Sequence, residues 1–434
     1  MGINRIARSK TADFDRGSRV RVCLITQNHL SMNPRLVKEA DALTEAGYSV
    51  HVVAADFVGW ARVADQAFRD RPWKAISYVT FGPTTRFFLR VFRGLRRRLA
   101  FFLFQTGFRC RRIAESACHT IGPDLIKAAV GVKADLYIAH YPPALPAAAL
   151  AAQRHGGVYA FDAEDFHLGD PPEGPEYDAL RALIRAVEVR YLPGCAYISS
   201  ASPGIAAAYA ASYGVNQPAV IRNVFPKSHA PLGPTRAGTA RPGPSLYWFS
   251  QTIGADRGLE CAVIAIGKAR CKPHLYLRGT PQADYRMQLE MLAHQVGVPD
   301  RLHFLTPALP GDMEQLAATY DVGLVGETGR TPNHRIALAN KLFSYLLAGI
   351  PALISDIPAH REFARDAGDA VWVYRVDDAD ALAGQLDALL GSDSEILAKA
   401  RQHAYRLGAE RDNWEQEKVI LLGLVERALS HLSG

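Results

Sequence analysis

The sequence is poor in cysteine, and none of its six cysteines is paired by spacing. Cys23, Cys110, Cys118, Cys195, Cys261 and Cys271 are scattered, with no Cys-x-x-Cys. That argues against a zinc ribbon or a thioredoxin-type redox site and suits a reduced cytosolic setting. No run reaches the roughly 18 consecutive apolar residues that a membrane-spanning helix needs. The opening stretch MGINRIARSKTADFDRGSR has no apolar signal core, so a cytosolic protein is expected, with residues 1–18 as a loose, flexible tail. Charge of one sign is not extreme: the net charge of +7 and pI of about 9.0 are mildly basic. Such a balance suits an anionic partner without choosing among phosphate, membrane and nucleic acid. No nucleic-acid module motif accompanies the basic residues, so nucleic acid is not expected.

What is present is a long chain of ordinary globular composition. At 434 residues, 48% apolar and 21% charged, it exceeds one ordinary core, and two domains are the default. In the first half, RVRVCLIT reads as a strand, Val20 to Ile25, and RLVKEADALTEAGYS as a helix. Leu36, Ala40, Leu43 and Ala46 keep the helical period there, and Gly47 stops it. VHVVAA, DLYIAH, VYAFDAE, AYISSAS and AVIRN are further strands. The Pro/Gly-rich stretch 226–245 has no period and reads as a linker. After it LYWFS, HLYLRG, LHFL, VGLVG, ALIS and AVWVY alternate with helices. Short, continuously apolar strands fit a parallel sheet covered on both faces. The expectation is therefore an α/β chain of two doubly wound domains, 19–225 and 246–404, facing a cleft, with 405–434 packing back on the first. Ligands in such folds sit at the carboxyl ends of the strands.

One segment breaks the rhythm. In 84–112, arginines 86, 90, 93, 96, 97 and 98 interleave with Phe87, Phe88, Phe92, Phe101, Phe102 and Phe104. Two readings stay open: a helix lying on an anionic membrane surface, or a domain helix with core phenylalanines and wet arginines.

The chemistry concentrates at two loop–helix junctions of the second half. Asn340 and Lys341 open the helix in IALANKLFSYLLAGIPALISD. A cation at a helix N-terminus is unfavourable by itself and favourable once an anion lies between them, because free backbone N–H groups bind phosphate there. Arg257 and Gly258 stand at a second such junction, and arginine forks well onto phosphate oxygens. The plain alternatives are a solvated lysine and an arginine paired with Glu260. In the first half Asp162, Glu164, Asp165 and His167 cluster after a strand, placed either to orient or deprotonate a hydroxyl or to cap the next helix. His29 and Asn33, in the loop after the first strand, are candidates to face the same cleft, although lone histidines are more often structural.

These segments, in this order, resemble the GT-B-fold glycosyltransferases of the family 4 type (glycosyl transferases group 1). The stretches that carry the resemblance are LITQNHLSMNPRLVKEADALTEAGYSVHVVAA, AYISSASPGIAAAYAASYG with AVIRN, LYLRGTP, RLHFLTPALPGDMEQLAATYDVGLV, NKLFSYLLAGIPALISD and DNWEQEKVILLGLV. They span nearly the whole chain outside the tail and 84–112. The resemblance implies a nucleoside-diphosphate sugar as co-substrate and a glycan or lipid-linked acceptor, as in bacterial-type surface polysaccharide or glycolipid synthesis. It implies transfer with retention and no metal or other cofactor. Arg257 and Lys341 would hold the diphosphate, with amides near Leu342. Gly279, Thr280 and the loop from Thr306 to Ala308 would line the nucleotide pocket. The family's Glu-x7-Glu pair falls here on Ile336 and Ser344, so both carboxylates are missing. Ser344 would still reach a ribose hydroxyl, and Glu327 is a candidate to reach the sugar, or else an exposed loop acid. The departure keeps two alternatives in view, a non-catalytic nucleotide-sugar-binding or scaffold protein and a nucleotide-sugar epimerase of the same fold.

Overall fold

The computed structural model describes residues 19–82, 85–234, 241–391, 394–430 and 432. The expected tail, Thr84 at the start of the arginine-rich segment and 235–240 of the expected linker lie outside the described residues. The first sheet comprises β1 (Arg21–Thr26), β2 (Ser49–Asp56), β3 (Ala75–Thr80), β4 (Leu136–His140), β5 (Val158–Asp162), β6 (Ile198–Ser200) and β7 (Ala219–Val220). The second comprises β8 (Ser245–Ile253), β9 (His274–Pro281), β10 (Leu302–Leu305), β11 (Val322–Val325), β12 (Ala352–Ser355) and β13 (Val371–Tyr374). Their spatial orders are β3-β2-β1-β4-β5-β6-β7 and β10-β9-β8-β11-β12-β13, and the pairings are parallel. Each sheet is doubly wound, with helices over both faces, as the apolar runs require.

All six strands read from the second half are present. In the first half β3 had no counterpart in the sequence reading. It lies at the sheet edge and is only half-buried, so it needs no continuous apolar run. The stretch AVIRN pairs over Ala219–Val220 alone. Arg222 then turns away, its amide donating to Glu417 Oε2 at 2.9 Å, and Asn223 turns toward Glu164.

Helix ends follow local chemistry. Asn33 Oδ1 accepts the Leu36 amide at 3.1 Å and caps the Pro34–Glu45 helix. Ser202 does the same for Pro203–Tyr213, which stops at a left-handed Gly214. The last helix, Trp414–Ser430, packs on Pro34–Glu45, with Lys418 Nζ 3.0 Å from Glu45.

Register decides what meets at the carboxyl edge of the first sheet. Thr26 is aligned with His140, His140 with Asp162, and Asp162 with Ser199. Four polar residues thus form a row across β1, β4, β5 and β6, below the face where the cleft opens.

Candidate active site

A cavity of about 440 Å³ lies between the two sheets' carboxyl ends. The first domain contributes Glu164, Asp165, Asp170 and Asn223; the second contributes Phe249, Arg257, Glu327, Asn333, Asn340 and Lys341.

On the second-domain side the two cations expected from the sequence share one carboxylate. Arg257 Nη1 donates to Glu327 Oε2 at 2.9 Å, and Lys341 Nζ donates to Glu327 Oε1 at 2.7 Å. Glu327 is buried. Burial alone would raise its carboxyl, but Lys341 and Arg257 reverse that and hold it at about 2. It is therefore neither an exposed loop acid nor a proton carrier near neutral pH. Two glycines make this contact possible. Gly258 has φ of 66° and packs on Gly326; a Cβ on Gly258 would meet the Gly326 carbonyl oxygen at 2.4 Å. The Arg257 and Glu327 loops can approach only because both positions lack side chains. Arg257 remains 40% exposed, so its other guanidinium donors stay open to the cavity.

On the first-domain side Glu164 reaches the cavity with both oxygens engaged. Tyr141 donates its hydroxyl to Oε2 at 3.2 Å, and Asn223 Nδ2 donates to Oε1 at 3.0 Å. Tyr141 and Glu164 follow adjacent strands, and both take positive φ, 68° and 54°. Such backbone is costly for residues with side chains and is retained where the surroundings impose it, often at functional sites. Burial pushes the Glu164 carboxyl up; Arg35 opposes this, Asp165 and Asp162 add to it, and the result is about 7. A carboxyl poised there can take or release a proton at neutral pH.

Asp162 has a different role. It is fully buried and gripped by Arg35, Nε to Oδ2 at 2.5 Å and Nη2 to Oδ1 at 2.8 Å, with Ser199 Oγ at 2.8 Å. Burial would raise its carboxyl, but Arg35 and His140 bring it to about 2. Glu39, His140 and Asp162 bring ligand atoms within 4.8 Å of one another, yet the Arg35 guanidinium already takes the cationic place among them. The group forms the floor under Glu164.

The remaining candidates fall into place as follows. Asp165 lines the cavity and accepts from Asn333 Nδ2 at 3.0 Å, while Asn333 Oδ1 accepts the Phe166 amide at 2.8 Å; one asparagine of the second domain thus holds two groups of the first. His167 is buried, its Nδ1 3.0 Å from Asp170, and does not line the cavity; burial lowers it, but Asp170 more than compensates and brings it to about 9. His29 is fully buried. Its Nε2 accepts the Phe57 and Val58 amides at 2.8 and 2.9 Å, which places the proton on Nδ1, facing Asp65 at 2.9 Å. Asn33 is fully buried as a helix cap, so neither reaches the cavity.

In the second domain Asn340 lines the cavity, but Leu342 is buried and its amide donates to the Ala339 carbonyl at 3.0 Å. Ser344 faces inward, donating to the buried Glu314 Oε1 at 2.6 Å; the expectation that it stands near the cleft is corrected, because that face of the helix packs on Met313–Ala317. Ile336 lies against Gly204 of the first domain, and its carbonyl accepts Ser202 Oγ at 2.6 Å. Gly279, Thr280 and Thr306 lie outside the cavity lining. Gly279, with φ of 149°, packs on the Ser250 carbonyl, and the Thr306 carbonyl accepts from Arg278 at 2.8 Å. Tyr141, Asn223 and Asn333 are missed by sequence reasoning, as are Asp170 and Phe249 of the lining. Nothing in their local sequence marks them; their places depend on segments far apart in the chain.

No family model matches the chain, and no curated protein matches it in sequence. Solved structures do match in shape. HepE of Anabaena, in complex with UDP-glucose, superposes with a TM-score of 0.67 at 14% identity, covering 94% of this chain and 99% of HepE. Sucrose-phosphate synthase of Thermosynechococcus elongatus gives 0.69 at 15% identity, covering 95% and 100%. A glycosyltransferase of Rickettsia africae gives 0.65 at 10% identity, covering 95% and 99%. At such identities the likeness is one of fold, and with the two parallel sheets and the cleft between them it shows that this chain has the GT-B architecture.

Proposed function

We propose that the protein is a glycosyltransferase that moves a sugar from a nucleoside-diphosphate donor to a hydroxyl of a glycan or lipid-linked acceptor, with retention. The observation that carries this reading is the opposition, in one cavity, of paired Arg257 and Lys341 to a Glu164 poised near 7. The UDP and UDP-glucose in HepE structures support a uridine nucleotide sugar as the first donor to try. Arg257 and Lys341 would neutralise the departing diphosphate, the part a divalent cation plays in other folds. Glu164 would orient and deprotonate the acceptor hydroxyl. All six cysteines are free thiols, in keeping with the cytosolic setting we propose; with a lipid-linked acceptor, that setting is the inner face of the membrane, in surface polysaccharide or glycolipid synthesis.

Glu327 is a counter-charge in this scheme. It fixes both cations while cancelling one of the two charges. The glutamine variant Glu327→Gln is expected to bind nucleoside diphosphate more tightly, on the order of tenfold, and to transfer sugar more slowly because the cations lose their anchor. Thermal-shift titration with UDP-, GDP-, dTDP- and CMP-sugars, on wild type and variant, reads this directly. If none of the nucleotides stabilises either protein, the donor site is not where we place it. Isomerised donor formed without an acceptor would mark an epimerase instead.

The base role of Glu164 has a pH signature. A carboxyl at about 7 is protonated below that pH and cannot accept a proton. The transfer rate is therefore expected to fall roughly tenfold per pH unit on the acid side of 7. Lys38, which burial lowers to about 7, titrates in the same range, so the control is Glu164→Gln. That variant should be slow and should lose the acid limb; a limb that persists would take the base role from Glu164.

The apolar Ile336 and inward-facing Ser344, where the resembled family has two carboxylates, favour a second reading, a protein that binds the donor without turnover. Donor binding without released diphosphate, in the presence of varied acceptors, would select it.

A further inference from the structure

The helix Phe87–Gln105 is inside-out. Its inner face is anchored by arginine: Arg93 Nη1 donates to the Thr80 carbonyl at 2.7 Å and Nη2 to Asp124 Oδ1 at 2.8 Å, while Arg96 reaches Asp124 Oδ2 and the Thr120 carbonyl at 3.1 and 3.0 Å. The outer face is apolar. Phe88, Phe92, Leu95, Leu99 and Phe102, spaced alternately by four and three residues, form one continuous seam and are between 58% and 84% exposed. A water-facing helix of a domain normally has the reverse arrangement, and a contiguous apolar patch of this kind marks an interaction surface. The structure thus excludes the reading of Phe88, Phe92 and Phe102 as core residues; of the segment's phenylalanines, Phe104 is the buried one.

The charge around the seam identifies what covers it. Residues 84–112 hold nine arginines and no aspartate or glutamate, against a net +7 for the whole chain. The rest of the protein is therefore slightly acidic, and the basic character lies in this one segment. Arg86, Arg98 and Arg112 make no ion pair among the described residues and are exposed. Beyond the helix, Arg109, Arg111, Arg185 and Arg190 edge an open groove of about 890 Å³, whose one acid, Glu115, is already held by Arg111 and the Tyr191 hydroxyl. A second copy of this chain fits the seam badly, since pairing would bring two sets of unneutralised arginines together.

We propose that this face docks on an anionic lipid bilayer, the phenylalanine and leucine seam entering the boundary between headgroups and acyl chains and the flanking arginines resting on lipid phosphates. A helix with a strong apolar face bordered by arginines has this mode of binding, and its strength combines buried apolar area with attraction to anionic lipid. The helix is the next element after β3, whose carboxyl end lies at the cleft edge of the first sheet. The docking does not depend on the transferase reading, and either can fail alone.

Vesicle sedimentation tests it with the full chain. Wild type should sediment with phosphatidylcholine–phosphatidylglycerol vesicles, much less with phosphatidylcholine alone, and less as salt rises. Phe88→Ser/Phe92→Ser/Leu99→Ser and, separately, Arg98→Glu/Arg112→Glu should each lose at least about tenfold in vesicle affinity. These positions are exposed, so folding should persist; circular dichroism and the nucleotide-induced thermal shift on the same preparations check this independently of lipid. Wild type that ignores anionic vesicles, a triple variant that sediments as well as wild type, or a lipid-free dimer abolished by the triple variant would each overturn the proposal.

Discussion

Replacing Lys341 with alanine is expected to slow sugar transfer by about a hundred- to a thousandfold, the range seen when a preorganised group facing developing negative charge is removed. Lys341 is largely buried, its ammonium held 2.7 Å from Glu327 and 5.6 Å from the centre of the Trp248 ring. It is thus held in place in advance, and in the proposed transfer it would spend little on reorganisation as the bond to the diphosphate breaks. Arg257→Ala should be impaired to a similar degree. The double variant should lose less than the product of the two, since both cations share one carboxylate and, in the proposed site, would act on one anion. Initial rates of diphosphate release measure all three, and the unfolding midpoint guards against simple instability. A Lys341→Ala protein within twofold of wild type would remove the basis for the proposed donor site.

The second large effect is on stability. Arg35→Met should destabilise the first domain by about 3–5 kcal/mol, because it strips the cation from a fully buried group and leaves Asp162 and Glu39 facing each other. Both carboxylates are out of water, and with Arg35 gone His140, 3.2 Å from Glu39 and 3.4 Å from Asp162, is left between them. Pairing the change with Asp162→Asn should recover part of the loss, since the charge to be compensated is then smaller. Urea unfolding followed by a first-domain probe distinguishes these outcomes. An Arg35→Met protein as stable as wild type would mean that the row at the carboxyl edge is hydrated in a way its burial denies.

How far the sequence announces these features depends on whether they are local. The strands of the second half are legible because a strand covered on both faces must be apolar throughout, and VGLV or ALIS has few other uses. β3 is not legible, because an edge strand tolerates Ser77 and an exposed Tyr78. Lys341 and Arg257 can be found because each stands at a loop–helix junction where a cation is locally out of place. Glu327 is visible only as an acid in a loop; that it bridges both cations follows from the close packing of Gly258 on Gly326, across nearly seventy residues. Ser344 illustrates the opposite failure: its position in a motif suggests a ligand, while the helix phase turns it toward Glu314. The arginine-rich helix could be read two ways until the structure showed which of its faces was wet.

The grip of Asn333 on Asp165 and on the Phe166 amide has a mechanical consequence. With Ser202 on the Ile336 carbonyl, it latches one half of the molecule to the other beside the cavity. The two walls of the cavity cannot move apart along this side without giving up these hydrogen bonds. Any motion that widens the cavity therefore carries the cost of breaking these short polar contacts, each worth about 1 kcal/mol.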